Sequence, residues 1–279
     1  MTKEHEGILV DLIAMEAAGK LDRACFTDLP VQVYHDPRCP GISSTAIKTI
    51  LKRTWAHHEA HADPTKESFR IGSAFHCFAT EPNRFRDEYI ICPFEYKRGH
   101  DWKEFKARAE SEQRIILMPD ELSMVAAMNK RLWAHPDSSP LLIGAQFEVT
   151  YFSRDQQSGV LKKARVDAIT KTKKISDLKS TFDASPEGFR RDCINFFYRI
   201  SAAYYLEVAS GFYGEQLTEF NLISCEKGVP YEISVYEVAA ESLATATEEI
   251  RTALAKIQHI QQNPQAWRGY ELGKKMIKI

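Results

Sequence analysis

The stretch FEVTYFSRDQQSGVLKKARVDAITKTKKISDLKST, residues 147–181, constrains this chain more than any other. It reads as three short strands in succession: Phe147–Phe152, a turn through Arg154–Gly159, then Val160–Thr170, a basic link at Lys171–Lys174, and Ile175–Thr181. Side chains alternate faces along a strand, so Glu148 and Thr150 oppose Val149 and Tyr151 on the first. Lys163, Arg165 and Asp167 project together from the second, and Asp177 and Lys179 share a face of the third. The apolar Val166, Ala168, Ile175 and Leu178 argue that the acids sit beside buried surface. Carboxylates on neighbouring strands, with a lysine two residues past the second, can hold a hard cation and a water next to a phosphate. The competing interpretation is structural: strand charges commonly pair with one another on a solvated face.

Bulk properties narrow the class. With 279 residues, 44% of them hydrophobic, the chain can bury the core of one large α/β domain. Lys and Arg number 37 against 38 Asp and Glu, so any nucleic-acid site must be a local basic groove rather than an overall positive charge. Six scattered cysteines without a C-x-x-C pair suit reduced, buried thiols and argue against a clustered iron–sulfur ligand set. The N-terminus has only a short apolar run flanked by acids, neither a signal peptide nor a membrane span, which predicts a cytoplasmic protein. No Walker-type phosphate loop couples it to ATP.

Taken in order, residues 1–30 read as a helical extension and 31–279 as a single domain. The extension is an amphipathic helix (Ile8, Leu9, Leu12, Ile13, Met15) stopping at Gly19, then a link ending at Pro30. Val31–Tyr34 reads as extended. Ser43 and Ser44 are N-cap candidates for a helix through Ile47, Ile50, Leu51 and Trp55. HHEAH, His57–His61, reads as polar surface, because nothing nearby completes a ligand set. RIGSAFHCFATE, residues 70–81, is a helix ended by Pro82; Gly72, Ser73 and Ala74 allow close backbone approach, and His76 follows one turn later. A lone histidine among Ala, Phe and Cys is ordinarily a core residue. Trp102–Arg114 and Asp120–Trp133, the latter capped by Asp120, read as scaffold helices. Ser185-Pro186-Glu187 starts a helical stretch over Phe189–Ser210, one helix or two, with Gly211 as its stop. Gln216–Cys225 and Tyr231–Tyr236 pair as strands, and Ala239–Gln262 is a final helix.

Five segments, in order, resemble the PD-(D/E)xK nuclease superfamily in its RecE/RecB/lambda-exonuclease branch: GSAFHCF (72–78), FEVTYF (147–152), KARVDAIT (163–170), DLKST (177–181) and FYRISAAYYLE (197–207). YHDPRCPGISSTAIKTILK, residues 34–52, resembles the opening of a RecE-type nuclease domain. The resemblance implies an α/β fold, a central mixed β-sheet flanked by helices, with helical additions at both ends. It implies Mg²⁺, with Mn²⁺ as a substitute, held by Asp167, Asp177, the Leu178 carbonyl and His76, with Glu148 just outside that set. Lys179 would orient the attacking water and offset transition-state charge. Lys163, Arg165, Ser180 and Thr181 are the expected DNA contacts, and Tyr205 takes the place of the tyrosine in a Q-x-x-x-Y motif. The glutamine of that motif falls at Ser201, a departure, since a serine cannot span the same distance or make the paired hydrogen bonds of an amide. Relatives of this kind degrade linear duplex DNA from 5′ ends, leaving 3′ tails for recombination and repair. They work as trimeric or tetrameric rings beside a RecT/beta-like single-strand annealing protein, and are typical of phages and prophages. A nuclease of other specificity, single-stranded or endonucleolytic, and a DNA-end-binding relative without turnover are the alternatives. Ser201 favours the latter; the intact Asp167, Asp177 and Lys179 oppose it.

Overall fold

The computed structural model describes residues 1–60 and 70–270; His61, the last histidine of HHEAH, lies outside the described residues. Helix α1 (Lys3–Ala17) is capped by Thr2 and buries Leu9 and Leu12. The expected link after it contains a strand, β1 (Arg23–Phe26), and the expected extended piece is a one-turn helix, α2 (Val31–Tyr34). RACF is too short to display an alternation of its own; pairing with a distant partner makes it a strand. Helix α3 (Ser44–Lys52) begins at Ser43, whose hydroxyl accepts the Ala46 N–H at 3.4 Å, and it stops before Trp55, which opens α4 (Trp55–Glu59) under a Thr54 cap. Pro82 both ends α5 (Arg70–Thr80) and starts α6 (Pro82–Glu88).

Strands β2 (Tyr89–Ile91) and β3 (Ile115–Leu117) form a separate parallel pair bracketing α7 (His100–Ser111). In α8 (Pro119–Ala134) the cap is Met118 and not Asp120, because Pro119 occupies the first turn and the Glu121 carboxylate accepts the Met118 N–H at 2.8 Å. After α9 (Ser139–Leu142) comes the meander: β4 (Gln146–Arg154), β5 (Leu161–Ile169) and β6 (Ile175–Thr181). Helices α10 (Pro186–Asn195) and α11 (Tyr198–Tyr213) are two pieces, broken where Phe197 takes a φ of +56°. The stop of α11 is Gly214 at φ +73° rather than Gly211. Strands β7 (Phe220–Glu226) and β8 (Ile233–Glu237) and helix α12 (Ala240–Gln262) complete the chain.

The main sheet has six strands in the order β1-β4-β5-β6-β7-β8. Only β6 and β7 run parallel, the crossover being made by α10 and α11, so the sheet is mixed and flanked by helices, as expected of the α/β class. One layer packs Val149, Tyr151, Ala164 and Val166 against Tyr204, Val208, Ile250 and Leu254 of α11 and α12. The opposite layer packs Leu178 and Ile223 against Phe75 of α5 and Met128 and Leu132 of α8. Each such side chain contributes about 1.5–3 kcal/mol by leaving water, so these layers hold the meander rigid from both sides. All six cysteines are free. No helix among the described residues is long and apolar enough to cross a membrane.

Strict alternation fails at one place. Phe147 joins the α5/α8 layer and Val149 the α11 layer, although they are two residues apart on one strand. The change occurs at Glu148, whose φ is +54°, and Val166 and Ala168 divide in the same way around Asp167 on β5. Both strands therefore switch faces where Glu148 and Asp167 stand opposite each other, between the Phe147↔Ala168 and Val149↔Val166 pairs.

Helix α5 reaches β6 through Gly72: a Cβ there would lie 2.7 Å from Ser180 Oγ. Gly72→Ala should destabilise the protein by about 1–3 kcal/mol through overpacking. In thermal denaturation its Tm should fall, and Ser180→Ala should restore most of the loss in the double variant. An additive double variant would show that this contact does not set the helix–strand distance.

Candidate active site

The ladder between β5 and β6 consists of two pairs, Ala168↔Ser176 and Ile169↔Ile175, beyond which the strands part. The Asp167 carboxylate fills the opening, and its Oδ2 accepts the Leu178 N–H at 2.7 Å. Asp177 is 3% exposed and is paired with Lys179. The Lys179 ammonium also donates to the Leu178 carbonyl at 3.3 Å and lies 5.2 Å from the centre of the Tyr198 ring. From α5, His76 places Nε2 against the Leu178 carbonyl and Nδ1 3.4 Å from Asp167 Oδ2. Glu148 completes the group: ligand atoms of His76, Glu148 and Asp167 lie within 4.8 Å of one another. Its carboxylate accepts from Arg165 Nε at 2.6 Å and from Thr80 Oγ1 at 3.2 Å, which fixes its orientation.

The electrostatics separate the acids. Burial, reinforced by the charge of Asp177, pushes the Asp167 carboxyl well above its ordinary value. Burial pushes Asp177 the same way, but the Lys179 charge and hydrogen bond outweigh it and hold Asp177 below the usual carboxylate range. Burial opposes the charge on Lys179 too, yet Asp177 and Asp167 prevail and keep the ammonium protonated. His76 is pushed down by burial and then by Lys179, so it is neutral at pH 7. A neutral imidazole has one N–H, whereas both ring nitrogens of His76 face acceptors, so one lone pair is aimed at an oxygen. A cation among His76, Asp167 and Leu178 O would relieve that opposition and the crowding of carboxylates. The donor set of carboxylate oxygens, one carbonyl and one imidazole fits a hard divalent ion of the Mg²⁺ or Mn²⁺ type.

The remaining expected residues divide. Tyr205 on α11 is half-buried near Phe220, with ring centres 6.2 Å apart, and burial followed by the charge of Asp177 keeps its phenol protonated. Ser180 lies half-buried under Gly72. Thr181, Lys163 and Arg165 are not presented to a DNA backbone. The Thr181 hydroxyl donates to Asp192 at 2.7 Å, and Lys163 donates to the carbonyls of Tyr34 and Cys39, each at 3.0 Å. Arg165 is spent on Glu148, on Glu81 and on the Leu29 carbonyl at 2.6 Å. The shared face of β5 is covered by the N-terminal segment, whose contact with the sheet the meander alone does not disclose. Lys48 of α3, absent from the expectations, reaches Ser201 Oγ at 3.0 Å. Its only signal in the sequence is its place off the apolar stripe of α3.

A family model described as "PDDEXK-like domain of unknown function (DUF3799)" matches residues 43–269, a span that contains every residue of this site. The curated proteins yield no match. Among solved structures, the crystal structure of a "Putative exonuclease" from Eubacterium rectale is similar, with 14% identity, a TM-score of 0.61, and coverage of 90% of this chain and 96% of that one. At that identity the likeness is one of fold. The crystal structure of SSO0001 is 18% identical over 78% of this chain and 85% of that one, with a TM-score of 0.31, too low to carry weight. With the family match spanning most of its length, the chain belongs to the PDDEXK-like family, within the PD-(D/E)xK nuclease superfamily.

Proposed function

We propose that this protein is a Mg²⁺-dependent exodeoxyribonuclease that hydrolyses phosphodiester bonds of linear double-stranded DNA, from 5′ to 3′ and without ATP. The observation that carries this is the convergence of Asp167, Asp177, Lys179, His76 and Glu148 where β5 and β6 part. Asp167, His76 and the Leu178 carbonyl would hold the ion, with Asp177 beside them. Glu148, which the sequence places outside the ligand set, stands close enough to join it. When bound, such an ion supplies Lewis-acid stabilisation of charge developing on a phosphate. Lys179 remains a cation between Asp177 and the Tyr198 ring, positioned to orient a water and to offset charge on the phosphoryl oxygens. Arg165 and Thr80 keep Glu148 in its rotamer.

The same proposal includes 3′ single-strand tails as product, recombination as the setting, and a RecT/beta-like annealing protein as partner. A ring-shaped trimer or tetramer, a bacterial cytoplasm and a phage or prophage origin complete it. The second reading, a DNA-end-binding relative without turnover, draws on Ser201 in place of the motif's glutamine.

A linear 5′-phosphorylated duplex, labelled separately at each end, should lose its 5′ label as mononucleotides only with Mg²⁺ or Mn²⁺, while a closed circle is spared. Binding without cleavage would select the second reading; cleavage of the circle would select an endonuclease. Asp167→Ala and Asp177→Ala should each lower the cleavage rate by roughly 10³-fold, the scale of several kcal/mol of transition-state stabilisation. Unchanged cleavage in both would remove the site from consideration.

Stability should move the opposite way. A carboxyl whose folded pKa is raised binds its proton more tightly in the folded state, so it costs stability above its unfolded value of about 3.9 and nothing below it. Asp167→Asn, which still accepts the Leu178 N–H, should therefore raise the Tm of the metal-free protein at pH 7–8 while abolishing cleavage. The gain should shrink toward pH 4 and be absent if Asp167 carries no such penalty.

A further inference from the structure

Lys48 is a cation that the chemistry above does not use. It lies on the face of α3 that meets α11, where Nζ donates to Ser201 Oγ, and no carboxylate among the described residues pairs with it. Ser201 is 4% exposed, so the contact lies inside the seam between the two helices. Burial, followed by the charge of Lys179, pushes the Lys48 ammonium down to about 8, and Asp177 and Lys52 are also near enough to act on it. Lys52, one turn further along α3, donates to the Asn195 carbonyl at 2.6 Å and lies 4.3 Å from the centre of the Phe197 ring. Cations thus continue from Lys179 across the seam, alongside the aromatic rings of Tyr198 and Phe197.

Ser201 lies one turn beyond Tyr198, whose ring Lys179 faces, so Lys48 bonds a neutral hydroxyl close to an ammonium whose acid, Asp177, is already paired, an arrangement that an arriving anion would stabilise. Lysine has three N–H donors, and Ser201 takes one. The short side chain at 201 matters: a serine hydroxyl accepts one N–H of Lys48 and leaves its other donors over, whereas a longer amide would compete for the space. We propose that Lys48 is a substrate-binding residue, a second phosphate ligand that α3 supplies next to Lys179, steadied by Ser201. The partner group is a DNA phosphate adjoining the scissile bond, so the proposal rests on the nuclease reading. The competing role is a structural tether between α3 and α11, which would need the hydrogen bond and not the charge.

The test separates charge from tethering. Binding of a short 5′-phosphorylated duplex is measured by fluorescence anisotropy in EDTA between 50 and 200 mM salt, for wild type, K48Q, K48R and S201A, with Tm as a folding control. K48Q loses the charge and keeps an N–H donor on a side chain one bond shorter, so S201A, which cuts the tether and leaves the charge, is its control. It should weaken binding about ten-fold, the scale of one charged hydrogen bond. It should also flatten the slope of log Kd against log salt by about 0.9, the value of one phosphate contact on duplex DNA. K48R should keep the wild-type slope, and S201A should keep it while weakening binding less. A K48Q protein that folds, with the slope and affinity of wild type, overturns the proposal, as does a fall in Tm alone. Cleavage of the same duplex by wild type in Mg²⁺ is scored separately. A wild type that binds with a Lys48-dependent slope but does not cut sinks the nuclease reading and leaves the phosphate ligand standing. A wild type that cuts, with K48Q unchanged in slope, does the reverse.

Discussion

The site depends on one substituted hydrogen bond. Had the ladder between β5 and β6 continued past Ala168↔Ser176, Leu178 would lie opposite Val166 and its N–H would be bonded to that strand. Instead the Asp167 carboxylate accepts that N–H, and the strands separate around it. A neutral backbone bond is worth about 0.5–1.5 kcal/mol net and one to a charged group about 1.5–3, so the exchange can be made without loss of fold. Its consequence is chemical. The opening frees the Leu178 carbonyl for His76 and Lys179 and brings Asp167 beside Glu148. The positive φ of Glu148 and the change of face on both strands belong to the same opening.

The basic residues of β5 serve the interior. Lys162 is paired with Glu207 and lies 3.5 Å from Asp155, Lys163 is spent on two carbonyls of the α2 region, and Arg165 on Glu148, Glu81 and Leu29. Breaking a buried pair of this kind typically costs about 3–5 kcal/mol, because a charge is left without a partner. Lys163 and Arg165 fasten the N-terminal segment to the sheet, and Arg165 also reaches Glu148. The near-neutral charge of the chain is consistent with this use of its lysines and arginines.

Much of the frame is legible in the residues. The meander appears because alternation, turn residues and strand length are local properties, and Ile175–Thr181 is found with those same bounds. The helix carrying Gly72 and His76 is legible for the same reason, a small-residue face followed one turn later by the imidazole. Errors gather where a distant partner decides. RACF becomes a strand through β4, and Gly211 stays inside α11, where it packs against Ser153; the exchange of Asp120 for Met118 as a cap is instead local, made by Glu121 three residues on.

The sequence by itself determined the mixed α/β frame, the spacing of Asp167, Asp177 and Lys179, and the departure at Ser201, because each is written in a contiguous run: strand and helix periods, the β5–β6 hairpin and one helical turn. Only the tertiary structure decided which charges face the site. Lys163 and Arg165 share the strand face predicted for Asp167, yet the α1–α2 segment, more than 100 residues earlier, covers them and leaves Asp167 in the opening. Lys48 meets Ser201 across 153 residues of chain. Contacts of that separation follow from how layers stack, and the local pattern of side chains carries no record of them.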